Sequence, residues 1–205
     1  LAGSRSRRSS SGGPLPGPPD DFEVPEDPQS IDAEPDPFSV AQAIVYRQLT
    51  AAPKSRLQLA RKLAERNIPE HIAEAVLDKF QEVRLINDAE FADMWVRSRS
   101  QSRKLAKGAL RRELAEKGID QETAASALEQ LTDDDEEAAA RALVERKLRP
   151  GTDASGPGER DKAVRRLASM LARKGYQPSQ AFRIVNEVLD ARKEADEGPV
   201  QSRYP

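Results

Sequence analysis

The sequence predicts an all-α fold of three tandem three-helix repeats, and three observations lead there: helix-forming composition, recurrent helix-start signals, and a short motif that returns twice. Of the 205 residues, 37% are hydrophobic and 33% charged, while aromatics make up only 4%. Ala, Leu, Arg, Glu and Lys, which lose little conformational freedom in a helix, are abundant. So few aromatics leave no material for one large core, and a short array of small cores suits the composition better.

Start signals recur along the chain. Ser39 with Gln42, Ser55 with Gln58 and Asn87 with Glu90 each place a capping side chain three residues ahead of a Gln or Glu, the pattern of a capping box. The acidic run Asp133, Asp134, Asp135, Glu136 and Glu137 opens another helix, where its charge meets the positive end of the backbone dipole. The motif Leu63-Ala64-Glu65-Arg66-Asn67-Ile68 returns as Leu114-Ala115-Glu116-Lys117-Gly118-Ile119 and again as Leu171-Ala172-Arg173-Lys174-Gly175-Tyr176. The spacings are 51 and 57 residues. Each copy ends an apolar helix stripe with a basic turn and then an Asn or Gly able to take the left-handed conformation that stops a helix. Another helix follows each, opening at Pro69, Asp120 and Pro178 and carrying Ile72/Val76, Ala124/Leu128 and Phe182/Val185 inward.

A further apolar helix precedes each copy: Val40 to Leu49, Phe91 to Val96, and Ala138 to Leu148. The units are therefore triplets, over about residues 38–86, 87–131 and 132–192. The longer third spacing is taken up by a Gly/Pro-rich loop over 150–158. A triplet of this length has a small core, so neighbours must stack, and an elongated, curved array with stability shared along it is expected.

The ends differ from the body. Residues 1–37 hold eight of the fifteen prolines and three Arg against eight Asp/Glu, a net −5 that leaves the rest of the chain at +3. Such a segment is expected to be a disordered, Pro-rich acidic tail, a solubilising extension or a mask for a basic surface. It has no apolar stretch after Arg5, Arg7 and Arg8 and does not read as a secretory signal. Residues 193–205 are expected to be a second disordered tail. With no cysteine and one histidine, the chain lacks the donors for Cys-based or His-rich metal sites and for thiolate catalysis, and no cofactor or metal is expected. His71 reads as a surface residue in the first turn of a helix. Neither a Gly-x-x-x-x-Gly-Lys loop nor a Gly-x-Gly-x-x-Gly fingerprint occurs, so an enzyme is not expected. No apolar run reaches the length of a membrane span, and a cytoplasmic monomer is the expectation.

The string NDAEFADMWVRSR at residues 87–99, continued by Gly108-Ala109-Leu110-Arg111-Arg112-Glu113-Leu114 through Lys117-Gly118-Ile119, resembles the middle repeat of the bacterial RecX regulatory proteins. The resemblance runs from about Phe38 to Arg192, leaving both ends and the 150–158 loop unmatched. It implies three tandem three-helix repeats and a modulator, usually an inhibitor, of the RecA recombinase. Members of that family bind in the groove of the RecA filament on DNA and suppress strand exchange, ATP hydrolysis and coprotease activity.

Independently of that resemblance, residues 97–112 hold Arg97, Arg99, Arg103, Lys104, Lys107, Arg111 and Arg112 with no carboxylate among them. On one continuous helix Lys104, Lys107 and Arg111 would form a single unpaired stripe, a candidate contact for phosphates or an acidic filament surface. Lys162, Arg165 and Arg166 form a secondary basic patch, flanked by Glu159 and Asp161. Trp95, Tyr176 and Phe182 read as core. Partners are thus expected to be the RecA filament and single- or double-stranded DNA, with a direct DNA-binding three-helix protein or a passive helical scaffold as alternatives.

Overall fold

A computed structural model describes residues 36–148 and 157–197 of the chain. Among these residues there are nine helices and no strand: α1 (Pro37–Ala51), α2 (Arg56–Ala64), α3 (Glu70–Glu82), α4 (Asp88–Arg103), α5 (Lys107–Glu116), α6 (Gln121–Leu128), α7 (Asp133–Lys147), α8 (Pro157–Arg173) and α9 (Pro178–Glu197). Within each triplet the third helix packs on both the first and the second. Three apolar clusters result, one per triplet, around Leu59, Leu63 and Leu77, around Leu110, Leu114 and Leu128, and around Leu143, Leu171 and Ile184. The third also takes in Ala106 of the second triplet.

The recurring motif folds the same way three times. Leu63, Leu114 and Leu171 are fully buried, and their carbonyls accept from the amides of Ile68, Ile119 and Tyr176 at 3.1–3.2 Å. Between them Asn67, Gly118 and Gly175 take positive φ of 57°, 81° and 91°. This is the left-handed helix stop that the sequence anticipates, with its six-to-one hydrogen bond in place. The capping signals hold at Ser55, where both arms of the box with Gln58 form, and at Asn87, which accepts from the amides of Ala89 and Glu90. Ahead of the acidic run, Thr132 caps α7 in a box with Asp135. His71 sits exposed in the first turn of α3.

Several expectations are corrected. Ser39 is not a cap, because α1 begins at Pro37, where proline's missing N–H costs nothing. The loop expected to reach residue 158 gives way at Pro157 for the same reason, since Pro157 and Gly158 open α8; residues 149–156 lie outside the described residues. Residues 193–197, expected to belong to a tail, are helical instead, as α9 continues to Glu197 through helix-favouring Ala, Arg, Lys and Glu. Residues 1–35 and 198–205 likewise lie outside the described residues. Phe182 is 46% exposed: Ala181, Ile184 and Val185 face the core, and residue 182 falls off that stripe.

The triplets are joined by the same device twice. The start of each middle helix meets the turn that ends the next triplet's middle helix. At the first joint the Ser55 hydroxyl donates to the Lys117 carbonyl at 2.7 Å, and Leu57 lies so close to Gly118 that a Cβ there would stand 2.5 Å from its side chain. At the second the Ala106 amide donates to the Lys174 carbonyl at 2.9 Å, and a Cβ on Gly175 would stand 2.2 Å from the Ala109 amide nitrogen. Each middle helix also receives a carboxylate on its first amide from the next triplet's first helix, Asp88 on Arg56 and Glu136 on Lys107. These carboxylates satisfy donors that a helix start otherwise leaves open. Among the described residues no fourth triplet packs on α8, and that helix runs to 17 residues against 9 and 10 for α2 and α5.

Candidate functional site

The basic segment 97–112 is divided between two helices. α4 ends at Arg103, Lys104 takes a left-handed conformation with φ 52°, Ala106 is extended, and α5 begins at Lys107. The single stripe of Lys104, Lys107 and Arg111 therefore does not form. The physical reason is the second joint: the Ala106 amide must leave helical register to reach the Lys174 carbonyl, and the Tyr176 hydroxyl and Lys174 ammonium take the carbonyls of Lys104 and Arg103 at 3.2 and 2.6 Å.

Nor is the segment uniformly unpaired, because carboxylates reach it from elsewhere in the chain. Lys107 Nζ lies 2.8 Å from Asp133. Arg99 lies 3.9 Å from Glu113 and stacks 4.2 Å above the Trp95 ring. By contrast, Arg97, Arg103, Arg111 and Arg112 are exposed and Lys104 half-buried, and these five side chains make no ion pair among the described residues. Arg97 stands where two clefts meet. One, of about 560 Å³, lies between α4 and α7 and includes Gln101, Lys104, Gln130 and Tyr176. The other, of about 730 Å³, lies between α1 and α4 and includes Tyr46, Leu85 and Met94. Arg111 lines a third cleft in which Lys107 and Arg183 face Asp133, Asp134, Glu136 and Glu137.

The secondary patch is spread along α8. Lys162 pairs with Glu159 at 2.8 Å, while Arg165 and Arg166 are exposed and make no ion pair among the described residues. The structure does not bring this patch into contact with the 97–112 segment through any hydrogen bond or ion pair among the described residues.

Two electrostatic features escaped sequence reasoning. Glu137, Arg141, Arg183 and Glu187 close a ring of ion pairs at 2.7–3.1 Å between α7 and α9. Arg183 holds the Glu137 carboxyl below its ordinary range, and Arg141 does the same for Glu187. All four keep a third to a half of their side chains open to solvent, so the ring orients the two helices more than it stabilises them. The other feature is Lys174, whose ammonium is pushed below the ordinary lysine range by partial burial and then by the charges of Arg146, Arg103 and Lys147. No carboxylate is among the causes. Sequence spacing gave no signal for this cluster, because its members come from the ends of α4, α7 and α8.

Trp95 is half-buried rather than sealed in the core. It stacks on Phe91 at 5.7 Å, donates from Nε1 to Glu113 at 2.8 Å, and carries Arg99 and Lys117 against its ring at 4.2 and 4.0 Å. Tyr176 is buried as expected, and burial, then the charge of Glu136, pushes its hydroxyl up to about 12. Among the described residues no helix is long and apolar enough to cross a membrane, and no group of three or more His, Asp or Glu is placed to hold a metal ion.

Two family models match, described as the first and second three-helix domains of RecX, at residues 41–80 and 87–128. The chain is 49% identical over 162 residues to the regulatory protein RecX of Streptomyces coelicolor, covering 79% of this chain and 84% of that protein. It is 36% identical over 194 residues to the regulatory protein RecX of Mycolicibacterium smegmatis, covering 95% of this chain and 98% of that one, so similarity extends beyond the span on which the sequence resemblance rested. The crystal structure of RecX from Lactobacillus salivarius shares the fold with a TM-score of 0.64 at 22% identity, over 75% of this chain and 97% of that one.

Proposed function

Because the chain belongs to the RecX family, whose curated relatives are named regulatory proteins rather than enzymes, we propose that it regulates the RecA recombinase as an inhibitor, seated in the groove of the RecA filament on DNA. From that position it suppresses strand exchange, ATP hydrolysis and coprotease activity. The observation that carries this reading is the pair of matched three-helix domains, joined in the structure by a repeated docking device. A ligand made of rigidly docked units can touch neighbouring recombinase subunits together, so it binds polymer better than monomer. Wherever its bound geometry disfavours the hydrolysing state, it shifts the population away from activity. Within the 97–112 segment, Arg97, Arg103, Arg111 and Arg112 are the cations best placed for such a contact, since they are exposed and make no ion pair among the described residues. Lys107 and Arg99 serve the fold instead.

The test is titration of the purified chain into preassembled RecA filaments, following ATP turnover, strand exchange and polymer length together. Inhibition at a stoichiometry below one chain per recombinase subunit is expected. The triple variant Arg97→Glu, Arg111→Glu and Arg112→Glu is expected to weaken inhibition at least about tenfold, the loss of one to two kcal/mol of charge complementarity. Filaments whose turnover and length do not respond to the folded protein would remove the regulator reading, and unchanged inhibition by the triple variant would remove these three residues from it.

A further inference from the structure

At the second joint three helix ends meet. α4 closes on Arg103, α7 on Arg146 and Lys147, and α8 on Arg173 followed by Lys174. Lys174 ties the ends of α4 and α8 together through its hydrogen bond to the Arg103 carbonyl, Leu148 at the end of α7 packs in one apolar cluster with Ala106, Leu171 and Tyr176, and the Lys104 carbonyl is held by Tyr176. Cations at helix C-termini are ordinarily favourable, because they answer the negative end of the backbone dipole. Here that compensation is incomplete. Partial burial, and then the charges of Arg146, Arg103 and Lys147 with no carboxylate to offset them, lower the affinity of Lys174 for its proton. Arg103, Arg146 and Lys147 are exposed, and neither they nor Lys104 make a side-chain ion pair among the described residues. A protein that keeps like charges together at a cost to itself has a seat that an anion would relieve.

We infer that the joint between the second and third repeats, through Arg103, Lys104, Arg146, Lys147 and Lys174, is a seat for the phosphodiester backbone of a nucleic acid strand. This rests on the reading proposed above, in which the protein works on a nucleoprotein filament, and assigns which surface takes the phosphates. Two observations favour phosphate over the acidic face of a protein. Protein interfaces carry an apolar centre, whereas nucleic acid interfaces are polar and strongly positive. The exposed large apolar residues of the described structure are Tyr46, Val83, Leu85, Met94 and Phe182, none of them a member of the cluster. The cluster also comprises side chains from three separate helix ends, so its charges are spread rather than stacked in one fork, as a strand with a charge at every nucleotide requires. Contacts of this kind carry no base specificity; they set register and affinity.

The experiment uses the full chain and labelled oligonucleotides, single-stranded and duplex, titrated at several salt concentrations. The triple variant Arg103→Gln, Arg146→Gln and Lys147→Gln removes charge only from exposed side chains, and its thermal melt verifies that it folds. Wild type is expected to bind with affinity that falls steeply with salt. The variant is expected to bind about tenfold or more weakly, with a salt slope shallower by about two. Arg97→Gln, Arg111→Gln and Arg112→Gln together serve as a control of matched charge and are expected to cost less than the cluster variant. The inference is overturned if wild type does not bind the oligonucleotides, if the cluster variant binds them with unchanged affinity and slope, or if the control costs as much. It is also overturned if the cluster variant loses affinity only for DNA-free recombinase, which would make the partner an acidic protein surface. Filament ATP turnover measured on the same preparations separates the two claims: inhibition that persists while oligonucleotide binding is unmoved removes the phosphate seat and leaves the regulator.

Discussion

The two joints use one backbone device in opposite electrostatic settings. Lys117 and Lys174 occupy the same place in the repeat, and the carbonyl of each receives the middle helix of the preceding triplet. Around Lys117 the charge is answered: its ammonium sits 4.0 Å from the Trp95 ring, which is hydrogen-bonded to Glu113, the carboxylate that also neighbours Arg99. Around Lys174 it is compounded by Arg103, Arg146 and Lys147. The donors differ as well. At the first joint Gln58 occupies the Ser55 amide, so the Ser55 hydroxyl makes the bond to Lys117; Ala106 has no hydroxyl, so its amide bonds Lys174 directly. One joint is thus finished within the protein, and the other is finished in geometry but not in charge.

Substitutions at the turn glycines probe that comparison most strongly. Gly175→Ala places a Cβ on backbone atoms that cannot move aside, in addition to forcing Ala into the left-handed region. A loss of about 3–5 kcal/mol is expected in urea melts. Gly118→Ala meets a Leu57 side chain that can rotate, so the same experiment is expected to give about 1–3 kcal/mol. Equal losses at the two glycines would mean that the second joint is no tighter than the first.

Ser55→Ala comes next. It leaves the half-buried Lys117 carbonyl without its donor and breaks the capping box of α2, for an expected loss of about 1–3 kcal/mol. Tyr176→Phe removes one hydrogen bond to the Lys104 carbonyl and is expected to cost about 1 kcal/mol at neutral pH. Its pH signature is sharper. The folded hydroxyl is raised from 10 to about 12, so the neutral form is the one the fold favours. The associated stability is whole below pH 10 and lost as pH rises toward 12, and the Phe variant should lack that part of the alkaline decline in chemical-denaturation curves. Asn67→Gly is the smallest change. The first triplet has no preceding neighbour among the described residues, so position 67 needs only its positive φ, and a shift within about 0.5 kcal/mol is expected.

That last position shows why the motif was legible and the joint was not. Asn67, Gly118 and Gly175 look interchangeable in a sequence, since any of them can end a helix in the left-handed region. Only the docking of Leu57 and Ala109 separates a turn that tolerates Asn from two that require Gly. The basic segment misled for a similar reason. Counting charges along residues 97–112 assumes one helix, and nothing local to Lys104 or Ala106 announces the break that Lys174 and Tyr176 impose from about 70 residues away. Asp133 and Glu113, which neutralise Lys107 and Arg99, lie outside residues 97–112.

The sequence by itself determined the number of triplets, the buried leucines, the helix stops and the caps at Ser55 and Asn87, because each depends on contacts within a few turns of one helix and on the 3.6-residue period. Tertiary structure alone decided where the fourth helix breaks, and which cations are answered and which are left to one another. Those outcomes depend on distances between residues of different helices, and electrostatic and steric terms at such distances have no period along the chain from which they can be read.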